Sequence, residues 1–483
     1  MTRLRFLADL RTLARAKTAL VVAPAHLLTE KRAPRLFSSS IHESILALAA
    51  RTKPGDRGNT AGTLTAGKPA KVVVGVLPDR VSRHNCAARP EAAHCVIQAA
   101  ALEDKDVVVL VVEQDEHLLP LVNAVGRAFP LFQRKSGKRN SATIGVLAVT
   151  PHGRPIELPA SVRRTAELAR QAARLVDTPP TELHPKALAL EAKKLLAAAG
   201  KVRVREIVGG ALLDSGLGGI HAVGRTALVP PRMLIAEWRP ANARGTHVAL
   251  VGKGVTYDTG GLHLKARGAM ETMKADMGGA AAALGAFCVL VAEKPTRPLS
   301  LVLCLAENAI GPNSYKPDDI LTLHSKKTVE INNTDAEGRL LLADGVSWAA
   351  RVLGAKIVID AATLTGAQLI ATGDLHAAVV SNVEALERTM IEAGRSTGDL
   401  THPLPFAPEF YKKEFATPYA DMRNSVKNRN NAQSSCAAQF IWWHIEDTGV
   451  QWGHLDLAGP AHRGERGTGF GVALLAEVVR RMP

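Results

Sequence analysis

Val251-Gly-Lys-Gly-Val-Thr-Tyr-Asp-Thr-Gly-Gly-Leu-His-Leu-Lys265, Met273-Lys-Ala-Asp-Met-Gly-Gly-Ala-Ala281 and Asn332-Asn-Thr-Asp-Ala-Glu-Gly-Arg-Leu-Leu-Leu-Ala-Asp344 follow one another in the second half of the chain. Between them they carry Lys253, Asp258, Lys265, Asp276, Asp335, Glu337 and Arg339. Four carboxylates gathered in glycine-rich turns repel one another unless cations sit between them, so the pattern reads as a two-metal hydrolytic site. Around these motifs helical patterns (residues 187–199, 278–291, 340–352 and 434–445) alternate with apolar strand patterns (247–251, 299–305, 356–359, 377–381 and 454–457). Such alternation predicts a largely parallel sheet with helices on both faces. Ligands bind beyond the carboxyl ends of the strands in such sheets, and both acidic motifs follow a predicted strand, 247–251 and 328–331.

Upstream, residues 72–76 and 107–112 are β-branched runs of the kind that form buried parallel strands, and 92–102 fits a helix between them. Residues 52–71 are rich in Gly, Thr, Pro and Lys without apolar period and read as a surface loop. A helical pattern at 161–175 stops at Asp177-Thr-Pro-Pro180, where two prolines prevent continuation. The expected fold class is α/β with two domains. A smaller N-terminal α/β domain takes residues 1–160 and a connecting helix 161–180. A larger C-terminal catalytic domain, 181–483, has a mixed, largely parallel sheet sandwiched by helices.

A length of 483 residues exceeds one ordinary core, and an apolar fraction of 46% suffices for two. The five cysteines include no C-x-x-C pair, which argues for a reducing compartment and against a disulfide framework or a cysteine zinc site. A net charge of +15 invites a nucleic-acid reading. Basic residues gather in the first forty positions, at 133–139 and at 423–429, with little aromatic interleaving, so a solvated basic surface explains them better. The apolar run 277–292 falls short of the roughly 20 residues of a bilayer crossing and reads as a buried helix, so no membrane is expected. Arg3, Arg5, Arg11 and Arg15 with the single acid Asp9 fit a basic amphipathic presequence. Residues 18–28 read instead as strand and turn, and no secretory apolar region follows the first Met. The location expected is cytoplasmic, with mitochondrial import as the alternative.

Taken singly, the acidic residues have plainer explanations. Asp276 fits the N-cap of the following helix, and Thr334 with Glu337 fits a capping box. Capping does not require Asp335 beside Glu337, Asp258 in a Thr-Asp-Thr-Gly-Gly turn, or two lysines bracketing that turn. Carboxylate oxygens bind zinc or manganese at about 2.0–2.2 Å, and two ions about 3.5–4 Å apart need bridging carboxylates. An amine beside dications is pressed to lose its proton, which suits Lys253 as a neutral ligand. Lys265 stays charged to polarise a carbonyl, and the Arg339 fork suits an oxyanion. His42-Glu43 lacks the second histidine of H-E-x-x-H, and no G-x-S-x-G elbow or phosphate loop occurs. His454 and Asp456 read as a satisfied core pair, and Trp442-Trp443-His444 as packing or a subunit contact.

Asn333-Thr-Asp-Ala-Glu-Gly-Arg-Leu340 is the intact signature octapeptide of the leucyl aminopeptidase family, which this sequence resembles, most closely in its probable aminopeptidase-like branch. The resemblance spans residues 174–479, with VDTPPTELHP, GKGVTYDTGG, KADMGGAAA, ENAIGPNSYKPDDI, DAATLTGA and HLDLAG in family order. It implies two divalent ions, Zn or Mn, bridged by Asp258 and Glu337. Asp335 completes the more exposed site, and Lys253 and Asp276 the tighter one. Lys265 and Arg339 become the catalytic pair, with bicarbonate on Arg339 relaying a proton from a bridging water whose hydroxide attacks the peptide carbonyl. Met273, Thr363 and Gly366 match the wall of the pocket for the first residue, neutral or apolar and leucine-like. The resemblance further implies peptide substrates and a homo-hexamer, a dimer of trimers. Tyr257 and Thr259 stand where Phe and Ser are common, and Gly345-Val346 where Ala-Leu is usual. The rival from another class is a scaffold or nucleic-acid-binding protein retaining the fold. It would have no need of Lys265 or Arg339.

Overall fold

Val72, Val73, Val74 and Val76 form a continuous apolar run because their strand is covered on both faces, so every side chain needs an apolar neighbour. In the computed structural model, which describes residues 2–137 and 141–482, they belong to strand β4 (Lys71–Leu77). The N-terminal sheet also contains β1 (Arg3–Leu7), β2 (Thr18–Pro24), β3 (Asn59–Leu64), β5 (Val107–Val111), β6 (Thr143–Val149) and β7 (Pro155–Ile156). Its order is β1-β6-β5-β2-β4-β3, parallel throughout except for β3, with β7 antiparallel to β6. Helix Pro90–Ala99 packs Ala92, Val96 and Ile97 into one core of this unit.

Two expectations fail here. Residues 52–71 are not all loop, because β3 runs through them as an edge strand. It is held by its ladder to β4 and half open to solvent, so it has no apolar alternation to read. The opening residues do not form an amphipathic helix either: β1 pairs with β6, and Leu10–Arg15 is a short 3₁₀ helix. Lys138 and Arg139 of the basic run lie outside the described residues.

The chain divides into two compact units, Met1–Arg170 with Gly394–Leu400, and Gln171–Ala393 with Thr401–Pro483. Helix Ala160–Asp177 runs through the division. The second unit holds β8 (Arg203–Val208), β9 (Arg232–Trp238), β10 (Val248–Asp258), β11 (Leu299–Asn308), β12 (Ile320–Thr322) and β13 (Thr328–Glu330). It continues with β14 (Ile357–Ala362), β15 (Ala377–Ser381), β16 (Thr401–Pro403), β17 (Met422–Arg423) and β18 (Gln451–Asp456). The main sheet has the order β16-β15-β18-β14-β10-β11-β9-β8. Its middle, β18-β14-β10-β11, is parallel, and antiparallel pairings appear only on the flanks, so the expected mixed, largely parallel sheet is present.

Alternation along β10 divides the helices between two faces. Ala249, Val251 and Val255 share a core with Leu340, Leu341 and Val346 of helix Gly338–Arg351. Gly252 and Gly254 face helix Gly278–Ala292 so closely that a Cβ on Gly252 would lie 2.6 Å from the Cα of Ala280. That helix is the apolar run of the sequence, and it is buried from Gly278 through Val291. The cysteines are all free, and only Cys95 is not fully buried. One placement differs from expectation. Residues 328–331 do not enter the main sheet; β13 sits in a three-stranded sheet of order β12-β13-β17, pairing with a hairpin partner and with a strand from far along the chain.

Asp344, buried inside helix Gly338–Arg351, accepts hydrogen bonds from the backbone N–H groups of Ile220 (3.0 Å) and His324 (2.9 Å). Burial pushes its carboxyl from 3.8 up to about 7, with those donors pulling the other way. The unfolded chain therefore ionises first. The stability associated with the neutral carboxyl is fully present below about pH 4 and is lost as pH rises through about 7. Denaturation midpoints of wild type and Asp344→Asn, compared at about pH 5 and about pH 8, should shift in the variant's favour by on the order of a few kcal/mol as pH rises. A gap independent of pH would refute this account of Asp344.

Candidate active site

Lys253 and Asp258 share β10 but are an odd number of residues apart, and in a regular strand they would point to opposite faces. The ladder between β10 and β11 shifts register between Val255 and Asp258, and this irregularity brings both side chains into one cleft. Asp258 is then fixed by two donors to its Oδ1, the Gly260 N–H (2.9 Å) and Asn308 Nδ2 (2.8 Å). Gly260 has φ +86, and a Cβ there would meet His263 O at 2.4 Å, so the turn needs glycine.

Asn308, at the end of β11, joins this turn to the second acidic one. Its Nδ2 also donates to Thr334 O (3.1 Å), as does the Tyr315 hydroxyl (2.5 Å). Thr334 Oγ1 donates to Gly260 O (2.7 Å) and accepts from the His263 N–H (2.8 Å). Thr334 is thus a pin between turns and forms no capping box; Glu337 stands at the helix N-cap position without a capping bond. Asp276 is no cap either. Met277 holds that position, and Asp276 turns toward Lys253.

Two ammonium groups sit among the four carboxylates. Lys253 Nζ lies 2.5 Å from Asp276 Oδ1 and 3.0 Å from Glu337 Oε1, and it donates to Thr363 O at 2.8 Å. Lys265 Nζ lies 2.8 Å from Asp258 Oδ2 and 2.5 Å from Asp335 Oδ1. Thr363 Oγ1 donates to Asp276 Oδ1 (2.9 Å). Burial works to strip the proton from each lysine, but the carboxylates outweigh it and hold both above lysine's ordinary value. Burial, with repulsion from neighbouring carboxylates, raises Asp276, Asp335 and Glu337 even so. The lysines are raised because carboxylates surround them, and the acids chiefly because they are buried. Arg339 is buried, lowered by desolvation to about 10, and donates from Nη1 to Asn424 O (3.0 Å) while its Nε finds no partner.

These residues fit a pair of cations. Asp258, Asp335 and Glu337 each offer an oxygen, all within 4.8 Å of one another, and buried Asp276 Oδ2 has no partner. The ammonium groups supply the positive charge that ions would bring. Lys253, Asp258, Lys265, Met273, Asp276, Asp335, Glu337, Arg339, Thr363 and Gly366 all line one cleft of about 330 Å³. Asn308 and Tyr315 were not singled out by the sequence, although both lie within ENAIGPNSYKPDDI, and Thr334 was read only as half of a capping box. Arg429, Gln433 and His462 also line the cleft, and Arg429 belongs to a basic run read as plain surface. His454 is buried as expected but pairs with Asp360 (2.5 Å), not Asp456.

Residues 170–476 match the family model described as cytosol aminopeptidase family, catalytic domain, and residues 43–138 match M17 aminopeptidase N-terminal domain 2. The chain belongs to the cytosol aminopeptidase family. Among its relatives is the probable aminopeptidase NPEPL1 of Homo sapiens, 46% identical over 420 residues that cover 84% of this chain and 79% of that one. Leucine aminopeptidase 1 of Caenorhabditis elegans is 40% identical over 410 residues, covering 83% and 82%. The leucyl aminopeptidase of Trypanosoma brucei, solved in complex with bestatin, superposes with a TM-score of 0.91 at 36% identity, over 100% of this chain and 96% of that one. This family member is accordingly a peptide hydrolase with the two-domain α/β fold of leucyl aminopeptidases.

Gly338 lets Lys253 pass close to the helix start, because a Cβ there would lie 2.4 Å from Lys253 Cε. In Gly338→Ala the lysine tip must yield and its bonds to Asp276 and Glu337 are distorted rather than broken, at a stability cost of about 1–3 kcal/mol. Peptide hydrolysis should fall at least about tenfold while the melting temperature moves by only a few degrees. Unchanged activity would show that the position of Lys253 is immaterial.

Proposed function

We propose that the protein removes N-terminal residues from short peptides, with preference for neutral or apolar, leucine-like side chains. It would do so with two divalent ions, zinc or manganese, held by Asp258, Asp276, Asp335, Glu337 and Lys253. The observation that carries this reading is the convergence of three carboxylate oxygens within 4.8 Å, flanked by Lys265 and Arg339 in the same cleft. Bound there, the ions supply a water nucleophile at neutral pH and a Lewis acid for the scissile carbonyl.

The chain's own groups do the rest. Lys253, held protonated among the carboxylates, would serve the ions as a neutral nitrogen ligand once its proton is lost. Lys265, with the greater exposure of the two lysine side chains at 15% against 3%, turns its ammonium to the developing oxyanion of the scissile carbonyl. Arg339 presents unused donor capacity, and bicarbonate held there would accept and return the proton of the attacking water. Asp335, its side chain 36% exposed against 8% for Asp276, stands on the solvent side of the cluster. Met273, Thr363 and Gly366 wall the pocket for the first side chain, where an unbranched Met adapts to apolar shapes. A homo-hexamer and a cytoplasmic location belong to the same proposal, carried by the family resemblance.

Protein supplied with manganese or zinc should hydrolyse leucinamide, and dialysis against a chelator should remove the activity until ions are restored. Glu337→Ala should lower kcat by about 100-fold or more. Activity that survives the chelator or the substitution would place the chemistry elsewhere.

A further inference from the structure

The basic run ending at Arg429, read from the sequence as solvated surface, reaches the cleft at Arg429 itself. The loop carrying it is anchored independently of that arginine. Glu414 accepts through its backbone O from the Lys427 N–H (2.9 Å), through Oε2 from the Asn428 N–H (3.1 Å) and through Oε1 from Asn431 Nδ2 (2.9 Å). Asn428 Oδ1 accepts in turn from the Asn430 N–H (3.0 Å). The nearby carboxylate of Glu414 is thereby engaged by amide donors, and the exposed Arg429 guanidinium has no ion pair or hydrogen bond among the described residues.

Each other basic side chain of the cleft has a partner in the fold. Lys253 and Lys265 are ion-paired, Arg339 is buried against Asn424 O, and His462 Nδ1 lies 3.0 Å from Gly464 O. A peptide entering with its amine and first side chain toward Met273, Thr363 and Gly366 meets a floor of four carboxylates. With ions on those carboxylates their charge is offset, and Arg429 stands in the same lining as a cation without a partner among the described residues, open to a carboxylate of the peptide. In a dipeptide the α-carboxylate belongs to the residue just beyond the scissile bond, with Cα about 3.8 Å from the first. A cleft of about 330 Å³ is of a size for short ligands. The planar guanidinium fork matches a carboxylate bidentately.

We propose that Arg429 is a specificity-determining residue. It pairs with a carboxylate on the residue after the scissile bond, so that the preferred substrates are dipeptides with a free C-terminus or peptides with an acidic second residue. The inference deepens the aminopeptidase reading and rests on it.

Steady-state kinetics of the full chain with manganese on two substrate pairs tests it: Leu-Gly against Leu-glycinamide, and Leu-Asp-amide against Leu-Asn-amide. Within at least one pair the wild type should favour the charged member by about fivefold or more in kcat/KM. Preference in the first pair identifies the α-carboxylate as the recognised group, and preference in the second identifies the acidic side chain. The ratio should fall to near one in Arg429→Gln, be partly kept in Arg429→Lys, and invert in Arg429→Glu. Because each ratio is taken within one enzyme, a general loss of activity cancels. A wild type without preference in either pair, or a preference that survives Arg429→Gln, overturns the role of Arg429 and leaves the aminopeptidase reading standing. Failure of the wild type to cleave any of the four peptides overturns that reading, and the role of Arg429 with it.

Discussion

Mutual repulsion among four carboxylates, three of them almost wholly enclosed, is the constraint on which the rest of the catalytic unit depends. Asp258 and Glu337 are each 2% exposed and Asp276 7%, so water screens them poorly. Lys253 and Lys265 each bridge a different pair of acids, and together they leave the cluster on the negative side of neutrality. That residual charge is what makes the pocket receptive to cations. Burial first, and repulsion within the cluster second, lifts Asp276, Asp335 and Glu337, while the same carboxylates hold both lysines above their ordinary value.

Holding such a cluster requires a frame that does not relax. The parallel middle of the main sheet supplies it, since β10 is ladder-bonded on both sides and covered on both faces. The second acidic turn comes from outside that sheet, after β13 of the small three-stranded sheet, and is tied back through Asn308, Tyr315 and Thr334. Two sheets of one compact unit therefore meet at a seam of buried hydrogen bonds. Such bonds are costly to leave unmade, which explains why the seam is polar and fully enclosed at Asn308 and Thr334.

Much of this was readable in the chain. Long apolar strands and helices announce themselves by period, and the acidic motifs by an incompatibility of like charges that only cations resolve. What escaped reading lacked a local signal. Strand β3 is stabilised by backbone pairing with a neighbour, and Asn-Thr-Ala-Gly-Thr-Leu carries no alternation to reveal it. The three-residue strand β13 looked like a member of the main sheet because sequence gives adjacency along the chain, whereas β17 arrives from residue 422. Thr334 satisfied a capping pattern while its hydroxyl served a turn some seventy positions earlier. Arg429 looked like surface because its distinction is the absence of a counter-ion, a property that only the folded arrangement of Glu414, Asn428 and Asn431 creates.

The register shift in β10 between Val255 and Asp258 carries a consequence for how this enzyme family member can change over time. What matters along those residues is how many backbone units separate the lysine from the aspartate. Between Lys253 and Asp258 the strand takes five steps where β11 takes four, and the bulge that absorbs the extra residue keeps both side chains on one side; a further residue there would carry Asp258 past its partner Asn308. This stretch is therefore a spacer whose length is the inherited quantity.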